Sequence, residues 1–187
     1  MLVVLIVLGI VALIAIFLVL SYNGMVRARN KVDEAWSGID VQLKRRHDLI
    51  PNLVETVKGY ATHEREVFEA VTQARSQAIQ AQSQGPARAG AAENALSGAL
   101  GRLFAVAEAY PQLRAAESFT ELQRELSNTE DQISAARRIY NGNVQAYNTK
   151  IQVLPNSLMA GPFGFTTREY FEIEDPVDRE PVRVSFE

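Results

Sequence analysis

Residues 47–54 read HDLIPNLV. A histidine and an aspartate precede an apolar pair, a proline and a second apolar run. The stretch is either a catalytic His-Asp pair at a helix break or a proline bend inside a structural helix. Adjacent residues on a helix point about 100° apart, so His47 and Asp48 cannot form a tight pair by themselves. Catalysis would need a partner from another helix and a pocket to hold substrate. Proline removes one backbone hydrogen bond, and Asp48, three residues earlier, is placed to act as a local cap. The reading adopted is structural. Pro51 bends a long helix while its apolar seam carries on, Asp48 caps the bend, and His47→Ala costs little stability.

Working outward, apolar residues recur at alternating steps of four and three from Met25 to Ala78, passing through Val32, Trp36, Ile39, Leu43, Ile50, Leu53, Val57, Tyr60, Val67, Val71 and Ala74. Polar residues break the series at Arg29, Arg46 and Glu64. A seam of this period predicts a long helix in a bundle or coiled coil. Buried charge on a seam needs a partner. Glu121, Glu125 and Glu130 are the candidates for Arg46, unless the bend turns Arg46 and Glu64 outward.

Upstream, Leu2 to Leu20 is an uncharged apolar run, LVVLIVLGIVALIAIFLVL. A membrane-spanning helix needs roughly 20 such residues. A cleaved signal peptide fits less well, because no Lys or Arg precedes the run and LSYNGM is a poor small-x-small site. Arg27, Arg29 and Lys31 follow the span, and positive charge of this kind holds its side of a helix in the cytoplasm. The expected placement is therefore a single-pass protein of a bacterial inner membrane, N-terminus out and C-terminal domain cytoplasmic. The three basic side chains are expected to face lipid headgroups. Gly24 is the one soft spot between span and seam. Trp36, about 24 Å beyond Leu20 along a straight helix, is expected to pack rather than to mark the interface.

Downstream, QSQGPARAG at 82–90 predicts a loop. A helix weakened by Gly98 and Gly101 follows and stops at Pro111. Ser118, with Glu121 three residues on, forms a capping-box pattern for a last helix. That helix carries Phe119, Leu122, Leu126, Ile133, Tyr140, Val144, Tyr147 and Ile151 on one stripe and ends at Pro155. Long helices with short connections define an all-α antiparallel bundle. The expected organisation is an anchor over 1–21, a bundle over 22–154 and an extended or short-strand tail over 155–187. The tail's aromatics, Phe163, Phe165, Tyr170, Phe171 and Phe186, need surfaces to pack on. REYFEIE and PVRVSFE have strand-like patterns with no sheet to join. The two segments therefore pair with each other, with another chain, or lie unpaired on the bundle. Residues 169–187 are expected to be either an assembly element, adding strand pairing or aromatic packing between subunits, or an extended tail along their own bundle.

Composition narrows the function. The 187 residues include no cysteine, which excludes disulfides and thiol catalysis, and a net charge of −3 gives no argument for nucleic acid. HERE at 63–66 resembles half a zinc-protease motif, but the second histidine would fall at 67, which is valine. KRRH at 44–47 lies roughly 35 Å from the membrane exit, too far to touch a bilayer if the rod stands upright. No cofactor, metal site or catalytic residue is expected.

Two blocks carry a family resemblance. YNGMVRARNKVDEAWSGIDVQLKRRHDLIPNLVETVKGYATHE resembles the opening of the LemA family, and ARRIYNGNVQAYNTKIQVLPN with the later GF and EYFE resembles its close. The resemblance covers essentially the whole chain. It implies a bacterial single-pass membrane protein, amino end out, with a soluble antiparallel helical bundle. It implies no activity and brings no catalytic residues. The expected function is a membrane-anchored helical scaffold that self-associates or organises partners at the cytoplasmic face. The alternatives are an adaptor or regulator of a membrane protease or signalling protein, and an unrecognised hydrolase. A pocket joining His47 or His63 to carboxylates of another helix would favour the last.

Overall fold

In a computed structural model that describes residues 1–173, the first helix, α1 (Leu2–Lys58), runs without interruption from the apolar segment into the bundle. At 1.5 Å per residue it is about 85 Å long. Gly24 does not loosen it. That glycine is buried, and a Cβ there would lie 3.0 Å from Lys150 Nζ, so its lack of a side chain lets the Lys150 chain lie close.

The helix also passes through Pro51, so HDLIPNLV is not a break. Proline at 51 cannot donate to the carbonyl four residues back, and the orphaned group is the acceptor of His47. Asp48 is itself an acceptor, stays exposed, and cannot serve it. The donor comes from the next helix: Arg75 Nε lies 2.7 Å from His47 O.

The expected single helix to Ala78 is two helices. α1 ends at Lys58, and α2 (Arg65–Gln82) folds back beside it after the turn at 59–64. Gly59, which weakens a helix by about 1 kcal/mol relative to alanine, opens the turn. Ala61 is fully buried inside it and donates to Val57 O. The seam positions at the turn are Tyr60, which is exposed, and Glu64, which is half-buried at the start of α2 with both Val67 N and Phe68 N donating to its carbonyl. Glu64 is therefore a turn residue and not a charge buried on a continuous seam.

α3 (Pro86–Glu108) begins earlier than the expected loop allows, with Pro86 in its first turn after Gly85 at φ 106. Gly90 lies within this helix. A short α4 (Pro111–Arg114) buries Leu113 and leads to α5 (Glu117–Gln152). α5 starts one residue before Ser118 and has no capping side chain, so the expected capping box does not form. A four-residue α6 (Ser157–Ala160) follows.

The chain packs α1 against α5 and α2 against α3, giving an all-α antiparallel bundle. Two apolar cores result. The distal core, far from the apolar run, joins Leu53, Val57, Phe68, Val71, Leu96, Leu103 and Leu126 from four helices. The proximal core joins Met25, Ile39, Leu43, Ile133, Tyr140, Val144 and Tyr147 with Phe165 and Phe171 from the tail.

Candidate functional site

Two places combine polar chemistry with unusual burial. The first lies between the two cores. Arg46 and His47 on α1 reach Glu93 on α3, with Arg46 Nη1 at 3.3 Å from Glu93 Oε2 and His47 Nε2 at 2.7 Å from Oε1. Arg46 Nη2 also lies 2.8 Å from Ser97 Oγ. A carboxylate accepts only, so His47 presents Nε2–H to it. Consecutive residues of α1 embrace one carboxylate because each uses a different oxygen. Glu93 is 0% exposed, His47 2% and Arg46 4%. Glu121, Glu125 and Glu130 are not Arg46's partners; Glu125 lies 3.9 Å from the neighbouring Arg45 instead.

A histidine paired with a carboxylate of another helix is therefore present, but among the described residues no pocket joins the two, which is what a hydrolase would need. The pair is sealed in the protein interior, where no substrate reaches it. The expected indifference to His47→Ala is corrected by the same burial, since that change would leave a Glu93 oxygen without its partner. Among the described residues no group of three His, Asp or Glu is placed to hold a metal ion. The wide groove on the outer face of α2, lined by Lys58, Arg65, Phe68 and Thr72, includes neither His47 nor Glu93.

The second place is the tail. Residues 165–173 run extended against α5 and pair with no strand. Their backbone groups are met by side-chain amides. Asn148 Nδ2 donates to Arg168 O at 2.9 Å, and Arg168 N donates to Asn148 Oδ1 at 2.8 Å. Asn141 repeats the arrangement on Phe171, with both bonds at 3.0 Å. Seven helical residues advance about 10.5 Å and three extended residues about 10 Å, so the two antiparallel segments keep step. Tyr140 OH donates to Glu169 O at 2.8 Å, and Arg137 donates to Ile173 O. Burial pushes the Tyr140 hydroxyl up to about 12, partly offset by the Arg168 cation.

Phe171 and Phe165 are buried, and Trp36, half-buried, packs on Tyr140 at 5.4 Å and Phe171 at 5.5 Å. Phe163 and Tyr170 stay more exposed, at 56% and 40%. Phe186 and the PVRVSFE segment lie outside the described residues. For 165–173, the packing is along the chain's own bundle.

Of the basic residues after the span, Arg27 and Lys31 line one groove with Gly24, Asn143 and Lys150. Arg29 instead places its guanidinium 5.4 Å from the Phe165 ring centre. Sequence reasoning missed Glu93, Arg75, Asn141 and Asn148. A signal existed for the asparagines: Tyr140-Asn141 and Tyr147-Asn148 repeat one dipeptide at a spacing of seven.

The apolar window of α1 has a mean hydropathy of 3.6 and none of it is buried, so this helix is long and apolar enough to cross a membrane. An all-α bundle growing from such a helix defines a class of anchored helical proteins. The LemA family matches residues 35–186, and the chain belongs to that family. It is 28% identical to magnetosome protein MamQ 2 of Paramagnetospirillum magneticum, over 94% of this chain and 73% of the relative. It is 29% identical to magnetosome protein MamQ of Magnetospirillum gryphiswaldense over the same shares. Protein LemA of Metamycoplasma hominis is 30% identical over 69% of this chain and 58% of that protein. None of these names carries an enzymatic activity.

Proposed function

We propose that this chain is a membrane-anchored helical scaffold that self-associates or organises partners at the cytoplasmic face of a bacterial membrane. The observation that carries the reading is the continuity of α1 from Leu2 to Lys58. A tethered catalytic domain needs only a flexible linker. Here the span and the bundle share one helix, which holds the head at a set height and orientation. The enclosure of the Arg46–His47–Glu93 cluster supports a structural role for its titratable groups. The magnetosome name of two relatives agrees with work at a membrane.

Orientation follows from Arg27, Arg29 and Lys31. A polybasic segment near an anionic surface gains about 1 kcal/mol per charge, and Arg27 and Lys31 face outward beside Lys150. A reporter fused after Glu187 is expected to be active only as a cytoplasmic fusion.

The test is the mass of the full chain extracted from native membranes in mild detergent. A scaffold gives a large homo-oligomer that persists after purification. Small particles, or assemblies that appear only with a second membrane protein, would replace this reading with that of an adaptor.

A further inference from the structure

The segment after α5 is unlike the rest of the soluble part. From Ile151 to Thr167, IQVLPNSLMAGPFGFTT, there is no charged residue, while Lys150 and Arg168 flank it. A soluble turn of this length normally carries charge. Ile151, Met159, Ala160 and Phe165 are buried, but four other apolar side chains point outward. Leu154 is 74% exposed, Leu158 72%, Phe163 56% and Val153 47%.

The position of this hairpin explains its composition. Lys150 lies against Gly24, so α5 ends level with the exit of the apolar run. Ser21 Oγ bonds to Asn156 Oδ1, and Asn156 Nδ2 donates to Lys150 O at 2.9 Å. Tyr22 packs edge-on against Phe163 at 5.3 Å and Phe165 at 5.6 Å. Leu158, Met159, Pro162 and Phe163 then form one apolar groove with Leu18 and Val19 of α1. Those two residues belong to the run that ends at Leu20, so the hairpin reaches about 3 Å below its end.

We propose that Val153–Phe163 is a second membrane contact, a collar around the anchor that inserts Leu154, Leu158 and Phe163 among the acyl chains of the leaflet from which α1 emerges. The proposal rests on the reading of Leu2–Leu20 as a bilayer span. Given that span, whatever covers Leu18 and Val19 is lipid, and the groove they share with Leu158 and Phe163 is continuous with it. Many backbone groups of the hairpin are met internally: Ser157 N donates to Val153 O, Leu158 N to Pro155 O, Met159 N and Ala160 N to Asn156 O, Phe163 N to Met159 O and Phe165 N to Ala160 O. Backbone entering the apolar layer must be satisfied in this way. Lys150, Arg27 and Lys31 stand above the collar at headgroup height.

The absence of cysteine makes a direct test possible. Single-cysteine variants of the full chain, Leu154→Cys, Leu158→Cys, Val41→Cys and Ile10→Cys, are labelled with bimane. They are reconstituted into phosphatidylcholine vesicles carrying nitroxide lipids of shallow or deep label position. Val41, exposed on α1 above the membrane, is the aqueous reference, and Ile10 reports the span. The expected result is quenching at 154 and 158 by shallow nitroxide several-fold above that at 41, with Ile10 quenched most by the deep label. Quenching at 154 and 158 equal to that at 41, with Ile10 still quenched, overturns the collar and leaves the anchor standing. Shielding of 158 from aqueous iodide without lipid quenching also overturns it, and identifies a second protein copy as the cover. Loss of quenching at Ile10 would overturn both the anchor and the collar.

Discussion

The two ends of the bundle reach a closed core by different routes. The distal end is closed almost entirely by helices: α1, α2, α3 and α5 each bring an apolar stripe, Leu53, Val71, Leu103 and Leu126 meet inside, and Ala61 of the turn joins them. At the proximal end the main helical pair is α1 and α5, and their shared groove is filled by an extended length of tail through Phe165 and Phe171, with Ala89 of α3 and Met159 and Ala160 of α6 joining the core. Helices satisfy their own backbones, so the distal end needs few polar side chains. An isolated strand does not, and the proximal end supplies amides from α5 to replace a neighbouring strand. The lesson is that side-chain amides on a helix can host an extended segment without any sheet.

Changes at the junction, at the tail's crossing point and along its amide contacts separate these two modes of closure. Glu93→Ala should have the largest effect. It leaves Arg46 buried without its carboxylate, and breaking a buried ion pair in this way costs about 3–5 kcal/mol. Denaturant unfolding of the detergent-solubilised chain checks it; a loss under about 1 kcal/mol would mean that water reaches Arg46 after all.

Gly90→Ala comes next. A Cβ there would stand 2.5 Å from the carbonyl oxygen of Glu172, so either the tail or α3 must move. Such overpacking costs about 1–3 kcal/mol. Faster proteolysis in the tail than in α2 is the expected signature, since the distal core is untouched.

Asn141→Ala and Asn148→Ala each remove a pair of hydrogen bonds to the tail. At about 1 kcal/mol net for a typical bond, each should cost roughly 1–2 kcal/mol. The amide of Phe171 should exchange faster in the first variant and that of Arg168 in the second. Unchanged exchange at both would show that aromatic packing alone holds the tail.

The last effect is absent near neutrality and concerns only high pH. The Tyr140 hydroxyl ionises near 12 when folded, against 10.0 for the ordinary group, chiefly because burial disfavours its charge. The folded state therefore keeps its proton longer. Stability from this group is full below pH 10, declines as pH rises through the window up to about 12, and is gone above it. Tyr140→Phe should flatten the alkaline limb of a stability profile without shifting its acid limb.

The sequence made the bundle legible because its stripes are long: Ile39, Leu43, Ile50, Leu53 and Val57 on α1, and Ile133, Tyr140, Val144 and Tyr147 on α5, are all buried as the period requires. The same period concealed the turn at 59–64. Four-three spacing ran through Tyr60 and Glu64 as though the helix continued, and no proline marked the reversal. With α2 misplaced, α3 could not be set beside Arg46, so its partner was sought on α5. Asp48 was assigned the wrong task because proline frees an acceptor, which calls for a donor such as Arg75. The tail's burial was legible in its aromatics, but the choice between own and neighbouring chain was not. That choice rests on Asn141 and Asn148, whose amides look like ordinary surface polarity until the strand beside them is seen.

The uninterrupted α1 has a mechanical consequence. With Leu2–Leu20 spanning the bilayer as proposed, a helix that leaves it without a joint is a lever whose fulcrum is the membrane surface. From Leu20 to Ile50 its arm is roughly 45 Å. Membrane helices tilt by about 20° on average, and bilayer thickness adjusts that tilt. A swing of about 20° carries the level of Ile50 sideways by about 15 Å. Small changes in the thickness of the surrounding lipid thus become large displacements of the head.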